Sequence, residues 1–228
     1  MLTILAIESS GESASAAVLL NGKVIVRHAS GVQNHSQSIL PMVQDVLRQA
    51  DIGLDQCDAV AFGAGPGSFT GVRTACGVAQ GLAFGAGLPV VPVVTLHAMA
   101  QRCRDMTQAS DVLAVLDARM GEVYWAQYRH AGEWQIVTPP TLSKAEEVTV
   151  EGKPMACGNG LTVYATAFDG MFPPEARHDA MPDAAEVARL AAIEFIAGRT
   201  VPPHDAQPLY LRNKVALTTA ERMAKETV

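Results

Sequence analysis

Three groups of residues in this 228-residue chain could do chemistry: a glycine-rich loop, two acids that end apolar runs, and the histidines and cysteines. The loop is Gly63-Ala64-Gly65-Pro66-Gly67-Ser68, followed by Phe69-Thr70-Gly71. Glycine-rich turns that open a helix bind anions through free N–H groups and the helix dipole. The pattern G-x-x-x-x-G-K-[ST] needs a lysine that this loop lacks, and the dinucleotide spacing fails because Ser68 stands three residues after Gly65. Three readings stay open: tight strand-to-helix packing with Ser68 as N-cap, contact with a phosphate, or contact with a partner.

Glu8 and Asp117 each follow a short apolar run. Facing each other, such acids would flank a Mg-nucleotide; turn capping and ion pairing are the alternative. A kinase would also need a general base near its substrate hydroxyl, and no acid in a matching loop stands out. The histidines, His28, His35, His97, His130, His178 and His204, form no H-x-x-x-H or H-E-x-x-H pair, the spacing that puts two metal ligands on one helical face. Cys57, Cys76, Cys103 and Cys157 form no C-x-x-C pair and read as buried, reduced thiols. No metal site and no cofactor are expected.

These residues sit in a chain that is 49% hydrophobic and 18% charged, with a formal net charge of −6. Proteins that grip nucleic acid unaided carry a basic stripe, because phosphate neutralisation supplies most of the affinity. Here the basic clusters are only Arg102 with Arg104 and Arg212 with Lys214, so tight RNA binding by this chain alone is not expected. No apolar run approaches the roughly 18–20 residues of a membrane span. The opening residues lack a basic region and a cleavage site, so a cytoplasmic protein with no membrane association is expected.

The elements that must position the chemistry follow from periodicity. Leu2 to Ile7 reads as a buried strand, and Ala14–Leu20 and Lys23–Val26 flank Asn21-Gly22 as a hairpin. A helix follows from about Ser36 to Ala50, with Ile39, Val43, Val46, Leu47 and Ala50 on one face; Pro41 fits only near the first turn. Asp58–Phe62 is a strand, and Phe69–Gly85 is a nearly uncharged helix. In it Gly77, Gly81 and Gly85 recur every four residues, each about 1 kcal/mol worse than alanine. Such a row suits close approach of another backbone. Pro89–Val94 is a strand, Leu96–Arg104 a helix, and Asp183–Ala197 a late helix.

The second half repeats the first. From Glu8, Gly11, Glu12 and Gly22 lie at offsets 3, 4 and 14; from Asp117, Gly121, Glu122 and Gly132 lie at 4, 5 and 15. Pro154–Cys157, Gly158-Asn159-Gly160 and a helix through Ala167 then mirror the Asp58 strand, its glycine loop and its helix. The expected fold is α/β, a duplicated actin-like (ASKHA, ribonuclease H-like) pair of lobes around a cleft. Its lobes are residues 1–106 and 107–228, with the C-terminal segment returning to pack on the first lobe. In that layout the strand-end acids and loops meet a nucleotide. The candidate contacts of a vestigial nucleotide site are Glu8, Ser9, Ser10, Gly65, Gly67, Asp117, Gly158, Asn159 and Gly160.

Several stretches together resemble the TsaB (YeaZ) family: Ile4 to Ser10, His35 to Pro41, Gly65 to Arg73, Asp117 to Trp125, Gly158 to Gly160 and Tyr210 to Arg212. That family is similar to TsaD, the transferase that places threonylcarbamoyl on N6 of the adenosine beside the anticodon of tRNAs reading ANN codons. TsaD binds its metal through an H-x-x-x-H after a G-[IL]-P-V strand. Here that strand is Gly87-Leu88-Pro89-Val90, and the two histidine positions fall on Thr95 and Met99. The resemblance implies a pseudoenzyme that scaffolds and activates TsaD as a heterodimer, with the ATPase TsaE joining and tRNA met only through the complex. It also places the partner interface on the first two helices. Candidate contacts there are His35, Ile39, Met42, Val43, Val46, Val72, Arg73, Cys76, Gly77, Gln80 and Gly81, and the same face would form a homodimer when TsaD is missing. The competing readings are an ATP-dependent small-molecule kinase on the same fold and, less well supported, a peptidase.

Overall fold

Strand β1 (Thr3–Glu8) is buried along its whole length, so its sequence lacks the alternation of a half-exposed strand. Leu5 and Ile7 face one helical layer and Ile4 and Ala6 face another. The computed structural model in which this is seen describes residues 2–29 and 35–212, without the side chains of His35 and Ser36. β2 (Ser15–Leu20) and β3 (Lys23–His28) form the expected hairpin, with Asn21 and Gly22 at φ 54° and 77°. The chain continues through α1 (His35–Ala50), β4 (Ala59–Gly65), α2 (Phe69–Ala86), β5 (Val90–Val94) and α3 (Thr95–Thr107). β4 runs parallel to β1 and β5, giving a five-stranded sheet in the order β3-β2-β1-β4-β5. α1 and α2 cover one face through Ile39, Val43, Val46, Ala75 and Ala79.

The second sheet is built from β6 (Asp111–Arg119), β7 (Glu122–Ala131), β8 (Glu133–Lys144), β9 (Met155–Cys157) and β10 (Arg177–His178). Its order is β8-β7-β6-β9-β10, with the hairpin pairs antiparallel and β6, β9 and β10 parallel. Order and direction match the first sheet strand for strand, so the internal duplication is real and the fold is actin-like. The copies differ in their helices. In place of α1 the second copy has a single 3-10 turn, Ala145–Glu147. The helix expected through Ala167 is two one-turn pieces, α4 (Gly160–Val163) and α5 (Ala165–Phe168), separated at Tyr164 by a non-helical φ of −115° and ψ of 44°. Pro41 lies beyond the first turn of α1, contrary to expectation; its exposed position lets the helix continue, although the Gln37 carbonyl receives no N–H from it.

Helices cross between the halves. α6 (Ala184–Ile196) comes late in the chain, yet Val187, Ala188, Leu190 and Ala191 pack on the first sheet against Ile4, Ala6, Ala59 and Ala61. α3 precedes the second sheet and packs on it through Leu96, Met99, Ala100 and Cys103. After α6, Val201 exchanges two 2.9 Å backbone hydrogen bonds with Val90, and Ala206 is buried in the α1–α2 layer. The four cysteines are buried free thiols, and burial pushes Cys57 up to about 11. Among the described residues no helix is long and apolar enough to cross a membrane.

A small ionic cluster ties α6 to its neighbours. Asp183 caps the helix by accepting from the Ala185 N–H at 2.9 Å, and its other oxygen meets Arg102 Nη1 at 2.5 Å and His28 Nε2 at 2.6 Å. Burial opposes ionisation of Asp183, but these partners outweigh it and hold the carboxyl below its ordinary value. Glu186, one turn on, pairs with Arg189 through one oxygen at 3.1 Å, while its second oxygen is buried without a hydrogen bond. Burial, reinforced by the Asp183 charge, pushes Glu186 up to about 7.

Two outcomes follow from this packing. A Cβ on Gly71 would lie 1.8 Å from the Ser9 carbonyl oxygen, whereas one on Gly77 meets nothing within 4 Å. Gly71→Ala is therefore expected to cost about 2–3 kcal/mol and Gly77→Ala to gain about 0.5–1 kcal/mol in urea denaturation; equal effects would contradict the packing. Glu186 keeps its proton in the fold to about pH 7, while the unfolded chain releases it near 4.5. The fold thus loses stability as pH rises between those values. Glu186→Gln should stabilise the chain by about 1–2 kcal/mol at pH 8, with most of that gain gone by pH 5. A pH-independent effect would show that the carboxyl ionises normally.

Candidate functional site

The cleft between the two sheets is where chemistry would sit, and glycines decide its shape. β4 ends in the loop that sequence patterns compare with a phosphate cradle, and each glycine there faces a specific obstacle. A Cβ on Gly63 would fall 1.8 Å from Glu8 Oε2, and one on Gly67 would fall 2.6 Å from the Ser10 carbonyl oxygen. Ser9 Oγ donates to the Gly71 carbonyl at 2.8 Å, and the Ser68 N–H donates to Ser10 O at 2.8 Å. Ser68 is the N-cap of α2, its Oγ accepting from the Gly71 N–H at 3.4 Å. The turn after β1 is therefore packed against the loop and takes up the Ser68 N–H, one of the groups that an anion at the start of α2 would use. Tight packing is the reading of this loop that the geometry favours.

The predicted nucleotide contacts separate into two sets. Ser10, Gly67, Asp117 and Asn159 line the interlobe cleft, which has a volume of about 510 Å³. Glu8, Ser9, Gly65, Gly158 and Gly160 lie behind its wall, a correction that burial requires. Glu8 is fully buried: Oε1 accepts from the Ser10 N–H at 2.5 Å, and Oε2 is buried without a hydrogen bond. Desolvation raises its pKa, which suits an internal carboxyl better than a metal-bridging one. A Cβ on Gly158 or Gly160 would lie 2.2 Å from the Val115 carbonyl oxygen or 2.7 Å from Val115 Cγ1. Gly65 is covered by the C-terminal segment, where the Leu209 N–H donates to Ala64 O at 2.7 Å.

Thr95 and Met99 both have structural work. Thr95 Oγ1 accepts from the Gly65 N–H at 3.1 Å and lies 3.1 Å from Ser10 Oγ, tying α3 to the glycine loop and to the turn after β1. Met99 is fully buried in the layer between α3 and the second sheet. His97, between them, stacks on Tyr128 with ring centroids 4.9 Å apart, and burial lowers its pKa to about 4.

Asp117 is the hub of the far wall. Its Oδ1 accepts from the Arg119 N–H at 2.7 Å and from the Tyr164 hydroxyl at 2.9 Å, and its Oδ2 meets Arg119 Nη1 at 3.1 Å. Asn159 Oδ1 accepts from the Asp117 N–H at 3.0 Å, and its Nδ2 donates across the cleft to Glu12 Oε1 at 3.1 Å. The following turn is strained: Arg119 and Met120 have φ of 63° and 59° before Gly121 at 81°. Left-handed backbone costs a non-glycine residue about 1–2 kcal/mol. Sequence reading missed this turn, since neither arginine nor methionine signals a positive φ.

The predicted partner contacts also divide by burial. Ile39, Met42, Val43, Val46, Val72 and Cys76 are at most 8% exposed and pack inside their own lobe, so a partner could reach them only by opening that core. The side chain of His35 lies outside the described residues. Gly77 and Gly81 are exposed on α2 with open space beyond them, as is Gly85 one turn on. Arg73 is exposed too, its guanidinium 3.7 Å above the Phe69 ring, and Gln80 donates to Ala206 O at 2.9 Å. Among the described residues the large apolar side chains exposed on these helices are Leu40 at 48%, Phe69 at 45% and Phe84 at 79%, and the sequence pattern placed none of them among the partner contacts.

Comparison with known proteins narrows the reading. A family profile described as "TsaD: tRNA N6-adenosine threonylcarbamoyltransferase" matches residues 16–193. The chain is 36% identical to a Haemophilus influenzae protein and 38% identical to an Escherichia coli protein, both named "tRNA threonylcarbamoyladenosine biosynthesis protein TsaB". Those alignments cover 94% of this chain and 95% and 96% of the relatives. A solved structure described as "YeaZ from Pseudomonas aeruginosa" superposes with a TM-score of 0.84 at 36% identity, covering 92% of this chain and all of that one. Another from that organism, described as having "similarity to peptidase YEAZ", gives 0.85 at 37% identity over 93% of this chain.

With no lysine in the loop, Glu8 buried behind the wall and the Ser68 N–H taken by Ser10, the isolated chain is expected to give no saturable heat with Mg-ATP in titration calorimetry. A dissociation constant below about 100 μM, some 5–6 kcal/mol of binding free energy, would show instead that the cleft accepts a nucleotide.

Proposed function

This chain belongs to the TsaB family, and from that premise we propose that it works in tRNA threonylcarbamoyladenosine synthesis as a non-catalytic partner of the TsaD transferase. The observation that carries the partner role is the exposed glycine row of α2. Gly77, Gly81 and Gly85 weaken a helix without making room for any of the described residues. A helix keeps such residues at a cost of about 1 kcal/mol each where another backbone must come close, and here that backbone belongs to another molecule. Leu40 and Phe84, exposed on the same pair of helices, are apolar surface such a contact would cover.

The non-catalytic reading is supported by the side chains at the two positions the resemblance equates with the metal ligands of TsaD. Thr95 fastens the glycine loop and Met99 fills a core, and neither supplies the imidazole that an H-x-x-x-H metal site requires. The chain would hold TsaD in its working arrangement, TsaE would join the pair, and tRNA would be met through the assembled complex. The net charge of −6 agrees with an indirect role toward tRNA. Without TsaD, the same face would pair two copies of this chain.

Reconstitution from TsaD, TsaE, ATP, threonylcarbamoyl-adenylate and tRNA tests the reading. Omitting this chain should abolish modification, and transfer at an unchanged rate without it would sink the proposal. Gly77→Leu and Gly81→Leu should each weaken capture of TsaD at least about tenfold, some 1.4 kcal/mol, while the free chain keeps its stability. Undiminished capture would move the interface elsewhere.

A further inference from the structure

The chain from Ala206 to Arg212 touches both sides of the cleft, and the partner reading assigns it no task. Its first part lies on the first lobe. Ala206 is buried in the core, its carbonyl accepts from Gln80 Nε2 at 2.9 Å, and the Leu209 N–H donates to Ala64 O. At Tyr210 the segment meets the outer face of α2: Arg73 Nε donates to the Tyr210 hydroxyl at 2.7 Å, and the Phe69 and Tyr210 ring centroids are 6.2 Å apart. Two residues later it reaches the opposite lobe. Arg212 pairs with Glu122, donates to the Arg119 carbonyl at 3.5 Å, and approaches Met120 Sδ at 3.7 Å. These contacts fall on the turn with two non-glycine residues at positive φ.

We propose that residues 206–212 are a strap that couples the outer face of α2 to the strained turn at the far wall of the cleft. Arg73 fixes Tyr210, which sets where Arg212 can reach, and Arg212 holds the Arg119-Met120 turn in its left-handed form. Tyr210 and Arg212 are two residues apart, so their side chains cannot move independently by more than one short span of chain. A strained turn persists only while its surroundings over-determine it, and the Arg212 guanidinium supplies that hold through Glu122 and the Arg119 carbonyl. Whatever draws Arg73 away from Tyr210 therefore loosens the turn on the other lobe, along with the Asp117 hub that precedes it. A partner seated on α2 would act in this way; the strap itself does not depend on that reading.

Amide hydrogen exchange, read by mass spectrometry on the full-length chain, tests the coupling. In Arg212→Ala the peptides covering 119–124 should exchange about tenfold faster than in the parent chain. Arg73→Ala, on the other lobe, should raise exchange in the same peptides several-fold, and so should Tyr210→Phe, which removes one hydroxyl and keeps the ring. Arg199→Ala, which breaks only an exposed pair with Glu194 beyond α6 and away from the strap, should leave them unchanged. Should Arg73→Ala and Tyr210→Phe both show parent-like exchange at 119–124, the two ends are independent and the strap is overturned. Unchanged exchange there in Arg212→Ala overturns it equally. If Arg73→Ala proves globally unstable by thermal melt, the Tyr210→Phe result alone decides. Adding TsaD to the parent chain is a separate arm: a rise at 119–124 links partner docking to the strap, and no rise counts against the partner face while leaving the variant result standing.

Discussion

The structure depends on one close approach, that of the α2 N-terminus to the turn after β1. Gly67 and Gly71 leave no side chain between that helix and the Ser9 and Ser10 backbone, and no larger residue fits at either site. Ser9 Oγ, the Ser68 N–H and the Ser68 cap turn the contact into a short hydrogen-bonded seam. The seam fixes how β1, β4 and α2 meet. It also engages the Ser68 N–H at the edge of the cleft, so one packing decision bears on both the fold of the first lobe and the lining of the cleft. Thr95 adds a third element, since its hydroxyl ties α3 to the same loop.

Two classes of glycine on one helix carry opposite meanings. Gly71 is required by its own lobe, because a methyl group there would collide with backbone that cannot yield. A Cβ on Gly77, Gly81 or Gly85 would meet nothing within 4 Å among the described residues. The first class is a steric necessity within the lobe; the second lowers helix stability with no packing return among the described residues, a cost that the proposed partner face would explain. That division is the physical basis for treating α2 as part core helix and part docking surface.

The strand plan was legible in the sequence because buried parallel strands are short apolar runs and the Asn21-Gly22 hairpin has a strong signal. The offsets from Glu8 and Asp117 exposed the duplication, and the matching strand orders of the two sheets agree with it. The second copy's helices were less legible, since a 3-10 turn at Ala145–Glu147 replaces a full helix without any loss of apolar pattern nearby. The site was legible by loop but not by residue. Ser10, Gly67, Asp117 and Asn159 reach the cleft, while Glu8, Ser9, Gly65, Gly158 and Gly160 support it from behind. On α1, Ile39, Val43 and Val46 form a stripe that could face a partner or a core, and periodicity has no means to tell which.

By itself the sequence determined the α/β class, the repeated succession of elements, the buried character of the cysteines and the family resemblance carried by Gly65–Arg73 and Asp117–Trp125. These follow from local patterns, each readable within a window of about ten to twenty residues. Tertiary structure alone decided that α6 covers the first sheet and α3 the second, that the turn after β1 closes the glycine loop, and that Arg212 braces a strained turn ninety-odd residues away in sequence. Each of these is a contact between distant segments. Its partners are chosen by shape and by unpaired polar groups after the sheets have formed, and no local spacing encodes that choice.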